Sequence, residues 1–322
     1  MKIEDIREEG RVSLPVLIRK CDTGKTQKNT PYLSLTLQDA TGELDARFWN
    51  LTEEQAKQYK AGDIVQAVGD IIYHRNAAQL RVRRLVPIED ADVAEFVQGA
   101  PLSRQEMEEQ VAALLDSLQN ETIREVTRKA LEANSPGYYT YPAAVRNHHT
   151  YAGGLAYHSL AMARAGEALL PLYPWLDRDL LIAGILLHDL GKVEEYTRPV
   201  LPEYSVKGNL IGHISMANND IDRAAVELGV QDSEDVMLLK HMVLSHHGRM
   251  EYGSPVVPMI PEAEMLQLID NLDSRMYMMK HQLDATVPGT FGPRVFALEN
   301  RMLYRRSEPQ DEAESEETAS EE

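Results

Sequence analysis

The chain has 322 residues, 33 Lys and Arg against 51 Asp and Glu, and a formal net charge of −18. That length points to about two domains, and a hydrophobic content of 43% excludes wholesale disorder. The single cysteine, Cys21, excludes an internal disulfide framework and a zinc site of several thiolates. The longest apolar stretch, near 180–187, falls far short of the roughly 20 residues of a membrane span, and the acidic start (Glu4, Asp5, Glu8, Glu9) has no apolar signal core. The expectation is a cytoplasmic protein with no membrane partner.

Five β-rich runs open the chain: Val12–Lys20, Tyr32–Gln38, Leu44–Trp49, Ile64–Tyr73 and Gln79–Val86. Turn signals separate them, among them Asp22-Thr23-Gly24-Lys25, Asp39-Ala40-Thr41-Gly42 and Ala61-Gly62-Asp63. A helical stretch, Leu51–Tyr59, sits between the third and fourth runs. Three strands, a helix and two strands is the chain order of an OB-fold barrel, so residues 1–90 are expected to form one. Alternation in Tyr32–Leu37 sends the leucines to one face and Tyr32, Ser34 and Thr36 to the other. In Leu44–Trp49, Asp45, Arg47 and Trp49 share a face, with Phe48 among the inward residues and Trp49 either core or surface. Aromatics beside arginines stack bases and contact phosphates; the candidates are Tyr32, Arg47, Trp49, Tyr73, Arg75, Arg81 and Arg83. Arg11–Pro87 is also the one net basic segment, with 12 bases against 8 acids.

Residues 91–150 read as a helical connector. Ser103-x-x-Glu106 is a capping box ahead of Met107, Val111 and Leu114, and a second helix is predicted over Glu121–Ala133. Further helices are predicted near Leu155–Leu170, Asp177–Leu187, Asn209–Leu228, Ser233–Ser245 and Glu262–Lys280. Asn209 and Ser233 are expected N-caps and Gly229 a C-terminal stop. Residues 307–322 hold eight acids and no base, which predicts a disordered acidic tail.

Nine of the ten histidines fall between 148 and 281, most of them in apolar helical context. Buried polar groups are costly unless partnered, and a shared metal site partners several at once. Imidazole and carboxylate without thiolate suit Mn, Fe, Ni or Zn in a catalytic site. His188-Asp189 is the sharpest element: a carboxylate there can bridge two ions. Lys192, one turn on, suits a phosphate, or simply a helix end. His241 fits a supporting or core role.

The series His158…His188-Asp189…His213…His246/His247…Asp270 resembles the HD-domain phosphohydrolase superfamily in its two-metal form. Longer motifs narrow the resemblance: His148-His149-x-Tyr151-x-x-Gly154-Leu155-Ala156-Tyr157-His158, Leu187-His188-Asp189-Leu190-Gly191-Lys192 and Ser245-His246-His247-Gly248. With an OB-like segment in front, the chain is similar to the YhaM-type 3′-to-5′ exoribonucleases over roughly residues 10–305. The resemblance implies an all-helical HD domain over 151–306 and two divalent ions, manganese first, with magnesium, cobalt or iron as alternatives. The implied ligands are His158, His188, Asp189, His213, His246 and Asp270, with His247 as the alternative to His246. Asp189, Lys192 and His149 are the expected catalytic residues, and Arg249 and Arg275 expected substrate contacts. Asp273, on a similar helix face to Asp270, could orient a ligand. The implied substrate is single-stranded RNA, with single-stranded DNA as an extension. The competing readings are an HD-type nucleotide or cyclic-nucleotide phosphohydrolase, and a nucleic-acid-binding module with an inactive HD site.

Overall fold

The computed structural model describes residues 1–74, 77–89, 91, 93–97, 99–145 and 149–307. Its N-terminal part holds strands β1 (Gly10–Lys25), β2 (Pro31–Asp39) and β3 (Gly42–Phe48), helix α1 (Glu53–Ala56), and strands β4 (Ile64–His74) and β5 (Ala77–Pro87). The strands close into a barrel in the order β1-β2-β3-β5-β4. Only β3 and β5 run parallel; the other pairs are antiparallel. Closure removes the free edges that would otherwise invite pairing with another chain.

Alternation builds the barrel core. Leu33, Leu35 and Leu37 from β2 meet Leu14, Val16 and Ile18 from β1, all essentially fully buried. Burial of each such side chain contributes about 1.5–3 kcal/mol. Phe48 packs partly buried against this core, whereas Trp49 is 39% exposed. The helix expected over Leu51–Tyr59 spans only Glu53–Ala56, held by a reciprocal box between Thr52 and Gln55. Tyr59 instead uses its hydroxyl to donate to Leu85 O at 3.0 Å.

The rest of the chain is mainly helical: α2 (Arg104–Ser117), α3 (Glu121–Ala133), α4 (Gly154–Leu169), α5 (Arg178–Leu187), α6 (Lys192–Glu195), α7 (Val206–Ile211), α8 (His213–Leu228), α9 (Glu234–Ser245) and α10 (Pro261–Asp284). Ser103, Asn120, Asp177 and Ser233 each accept a backbone N–H at a helix start. Gly229, at φ 71°, ends α8. Every residue of α5 after Arg178 is buried, so α5 is the central helix, packed by α3, α4, α9 and α10.

Two expectations are corrected. The helix predicted over Asn209–Leu228 is two helices, because Gly212 adopts φ 78° and ends α7 one residue before α8 begins. Asn209 therefore lies inside α7, whose cap is Ser205. The C-terminal part is also not all-helical: strands β6 (Phe291–Val295) and β7 (Arg301–Tyr304) form a hairpin beyond α10. Among the described residues, no helix is long and apolar enough to cross a membrane. The acidic tail expected at 307–322 lies, from 308 onward, outside the described residues.

Candidate metal centre and nucleic-acid interface

Helix ends and one long helix deliver the expected ligands to one place. His158 lies in α4, His188 caps the C-terminus of α5, His213 opens α8, His246 caps α9, and Asp270 sits in the middle of α10. His188 and His246 solve a local problem there. The last carbonyls of a helix lack intrahelical partners. His188 Nδ1 pairs with Ile185 O at 2.8 Å, and His246 Nδ1 with Val243 O at 2.7 Å. Since a carbonyl only accepts, each Nδ1 carries the proton and each Nε2 offers a lone pair.

The other imidazoles are fixed the same way by other groups. His213 Nδ1 pairs with Glu195 Oε1 at 3.0 Å, which also accepts from His213 N at 3.0 Å. His158 Nδ1 pairs with Asp273 Oδ2 at 2.7 Å, and His247 Nδ1 with Tyr252 O at 2.7 Å. Such outer partners orient metal-binding imidazoles and raise their basicity. Glu195 went unnoticed in sequence because it lies 18 residues before His213 and matches no spacing rule. Only the turn around Gly191, where an added Cβ would sit 2.1 Å from His213 O, brings the two together.

The Nε2 atoms of His188, His213 and His246 converge on Asp189, which is buried. His188 Nε2 lies 3.2 Å from Asp189 Oδ2; His213 Nε2 and His246 Nε2 lie 3.5 and 3.7 Å from Oδ1. His188 Nε2, His213 Nε2, His246 Nε2 and Asp189 Oδ1 are buried with no hydrogen-bond partner. Orphaned polar atoms in a native interior call for an explanation, and divalent cations supply one. Two triads of donor atoms, each mutually within 4.8 Å, flank the aspartate: His158, His188 and Asp270 on one side, and His213, His246 and His247 on the other. His246 and His247 thus both present donor atoms toward His213. A third triad, His149, His158 and Asp273, shares His158.

The electrostatics keep the central carboxylate ionised. Burial alone would raise the Asp189 carboxyl, but Lys192 and His188 overturn that and hold it well below the usual carboxylate range. Lys192 Nζ lies 2.6 Å from Asp189 Oδ2, itself buried. Burial lowers the His158 imidazole, yet Asp270 and Asp273 outweigh it and push it up to about 9. Burial pushes the His246 and His247 imidazoles down, toward the neutral form that binds metal. His149 adopts φ 44°, a region costly for a side chain with a Cβ. Its Nε2 meets Asp273 Oδ2 at 2.8 Å and its Nδ1 meets the Tyr151 hydroxyl at 2.6 Å.

The remaining candidates separate. The Tyr32 and Trp49 rings meet at 4.5 Å between centroids, tilted by 30°, with Trp49 exposed. Arg47 and Arg81 are direct register partners across β3 and β5, so two guanidinium groups share one face beside the aromatic pair. Tyr73 donates its hydroxyl to Arg7 O and packs on the N-terminal segment. Arg249 lies 5.9 Å from the Tyr252 ring centroid, two residues past His247. Arg275 is engaged within the chain, forking onto Glu299 at 2.7 and 2.9 Å and tying α10 to the terminal hairpin. His241 Nε2 accepts from Met259 N at 2.9 Å, a supporting role outside the cluster. Arg75 and His148 lie outside the described residues.

Residues 155–275 match the HD domain family, and residues 16–88 match an OB-fold nucleic acid binding domain. A solved structure, the second OB-fold domain of replication protein A from Methanococcus maripaludis, is 23% identical, covers 29% of this chain and 97% of its own, with a TM-score of 0.22. Fold and cluster together define an HD-domain protein of the metal-dependent type carrying a nucleic-acid-binding barrel in front. The 3′-5′ exoribonuclease YhaM of Bacillus pumilus (strain SAFR-032) is 43% identical over 304 residues, covering 94% of this chain and 96% of that protein. The chain belongs to the YhaM family of 3′-5′ exoribonucleases.

Proposed function

We propose that the protein is a metal-dependent 3′-to-5′ exoribonuclease that shortens single-stranded RNA and releases nucleoside 5′-monophosphates. The observation that carries this reading is the set of partnerless Nε2 atoms aimed at the two oxygens of Asp189, in one chain with a stacking barrel. His158, His188, Asp189 and Asp270 would hold one divalent ion. Asp189, His213, His246 and His247 would hold a second; imidazole and carboxylate without thiolate suit Mn, Fe, Ni or Zn, and manganese is the ion the family resemblance puts first. When bound, such ions supply a water of pKa lowered to about 7 and positive charge beside the phosphate.

The chain's own groups do the rest. Lys192 keeps Asp189 ionised and lies one contact from the cluster, where it can meet a phosphate oxygen. Asp273 orients the His158 ring through Nδ1, and Glu195 holds His213 Nδ1 so that its Nε2 faces Asp189. Tyr32 and Trp49 stack bases, and Arg47 and Arg81 neutralise phosphates. Stacking does not distinguish ribose from deoxyribose, so single-stranded DNA enters as a second substrate. A cytoplasmic location accords with Cys21 as a free thiol.

The test is product analysis on 3′- and 5′-labelled single strands with a panel of metals. Ladders shortening from the 3′ end, with 5′-monophosphate products and the highest rate in manganese, are expected. Internal cuts, or hydrolysis of free nucleotides alone, would refute the reading.

A further inference from the structure

The barrel and the helical part enclose a cleft of about 630 Å³ that the site described so far does not use. Arg19 and Thr36 line it from the barrel; Tyr151, Tyr277, His281 and Arg198 line it from the other side. The cleft is joined to the histidine cluster through α10. Asp270, Asp273, Tyr277 and His281 follow one another at intervals of three, four and four residues, so they form one stripe along that helix. The stripe is about 16 Å long. It begins with a carboxylate facing the metal-binding histidines and ends with aromatic rings in the cleft.

The ring contacts run the same way. His149, bonded to Asp273, lies 4.4 Å from the Tyr277 ring, and Tyr277 lies nearly parallel to His281, with 4° between planes and 6.3 Å between centroids. Opposite stands Arg19, in the net basic part of the chain and ion-paired with Glu43 at the rim. Aromatic faces on one wall and a guanidinium on the other are what a stacked base and its phosphate require.

We infer that this cleft is a subsite for single-stranded RNA, in which Tyr277 stacks a base upstream of the scissile bond and Arg19 contacts its phosphate. The inference rests on the exoribonuclease reading for its substrate. It adds the path by which a strand held on the Tyr32–Trp49 face reaches Asp189, and makes Tyr277 and Arg19 determinants of preference for longer strands.

The test uses the full-length protein and a fluorescent octaribonucleotide in EDTA, where binding is read without hydrolysis. Tyr277→Ala should weaken binding by roughly five- to a hundredfold, the range of one lost base stack. Tyr277→Phe, which keeps the ring, should bind within about twofold of the wild type, if stacking is the interaction. Arg19→Gln sits on strand β1 of the barrel and leaves the Tyr277 ring and its packing against His149 in place, so its effect does not arise from loss of that ring. It should weaken binding and flatten the dependence of log Kd on log salt, as loss of one phosphate contact does. Octamer binding by Tyr277→Ala and Arg19→Gln within twofold of the wild type overturns the inference. Turnover of the octamer by the wild type in manganese judges the exoribonuclease reading separately: a strand that binds through Tyr277 and Arg19 but is not shortened would sink that reading and leave the subsite standing.

Discussion

Glu195→Ala is the most discriminating substitution outside the proposed ligands. Glu195 Oε1 accepts two bonds from one residue, His213 N and His213 Nδ1, both at 3.0 Å. The first satisfies an orphan donor at the start of α8, so its loss costs about 0.5–2 kcal/mol of stability. A carboxylate at a helix N-terminus adds about 0.3–1 kcal/mol. The second bond fixes the His213 tautomer, and removing such a partner lowers metal affinity or activity by about 10- to 100-fold. The expected result is a folded protein, destabilised by about 1–3 kcal/mol, whose half-saturating manganese concentration rises by about one to two orders of magnitude. Much of the rate should return at high metal. Glu195→Gln, which keeps an acceptor but not the charge, should fall between. The assay is a manganese titration of single-stranded RNA trimming, with thermal unfolding alongside. A half-saturating concentration within twofold of the wild type would show that Glu195 does not orient a metal ligand.

Asp189→Ala should abolish trimming at any metal concentration while the helical fold survives by circular dichroism; trimming at the wild-type rate would remove the cluster from the chemistry. Trp49→Ala should weaken RNA binding by roughly 1–3 kcal/mol and spare hydrolysis of a small chromogenic phosphodiester, and equal losses on both substrates would argue against a stacking platform. Arg275→Ala should leave RNA affinity within twofold and cost at most about 1 kcal/mol in stability, since its Glu299 partner is exposed; a tenfold loss of affinity would return it to the interface.

The sequence by itself determined a good deal, because period and local chemistry are local properties. The alternation of Leu33, Leu35 and Leu37 set the strand and its buried face. The Ser103–Glu106 box set where α2 begins, and the histidines and aspartates in apolar helical context pointed to a metal site, whose class of chemistry came from the resemblance of His158, His188-Asp189, His213, His246 and Asp270 to the HD-domain phosphohydrolases. The hairpin of β6 and β7 escaped that reading because two strands of five and four residues carry too little alternation. The split between α7 and α8 escaped it because Gly212 looks like any helical glycine until its φ of 78° is seen.

Tertiary structure alone decided how the groups meet. No spacing rule joins Glu195 to His213 or Asp273 to both His149 and His158, since these contacts depend on how helices pack. The same holds for the two interfaces. Arg275 looks available in sequence yet is held by Glu299, whereas Tyr277 and Arg19, 258 residues apart in the chain, face one cleft. Side-chain chemistry is written residue by residue, but which lone pairs are left without a partner is settled only when the chain closes around them.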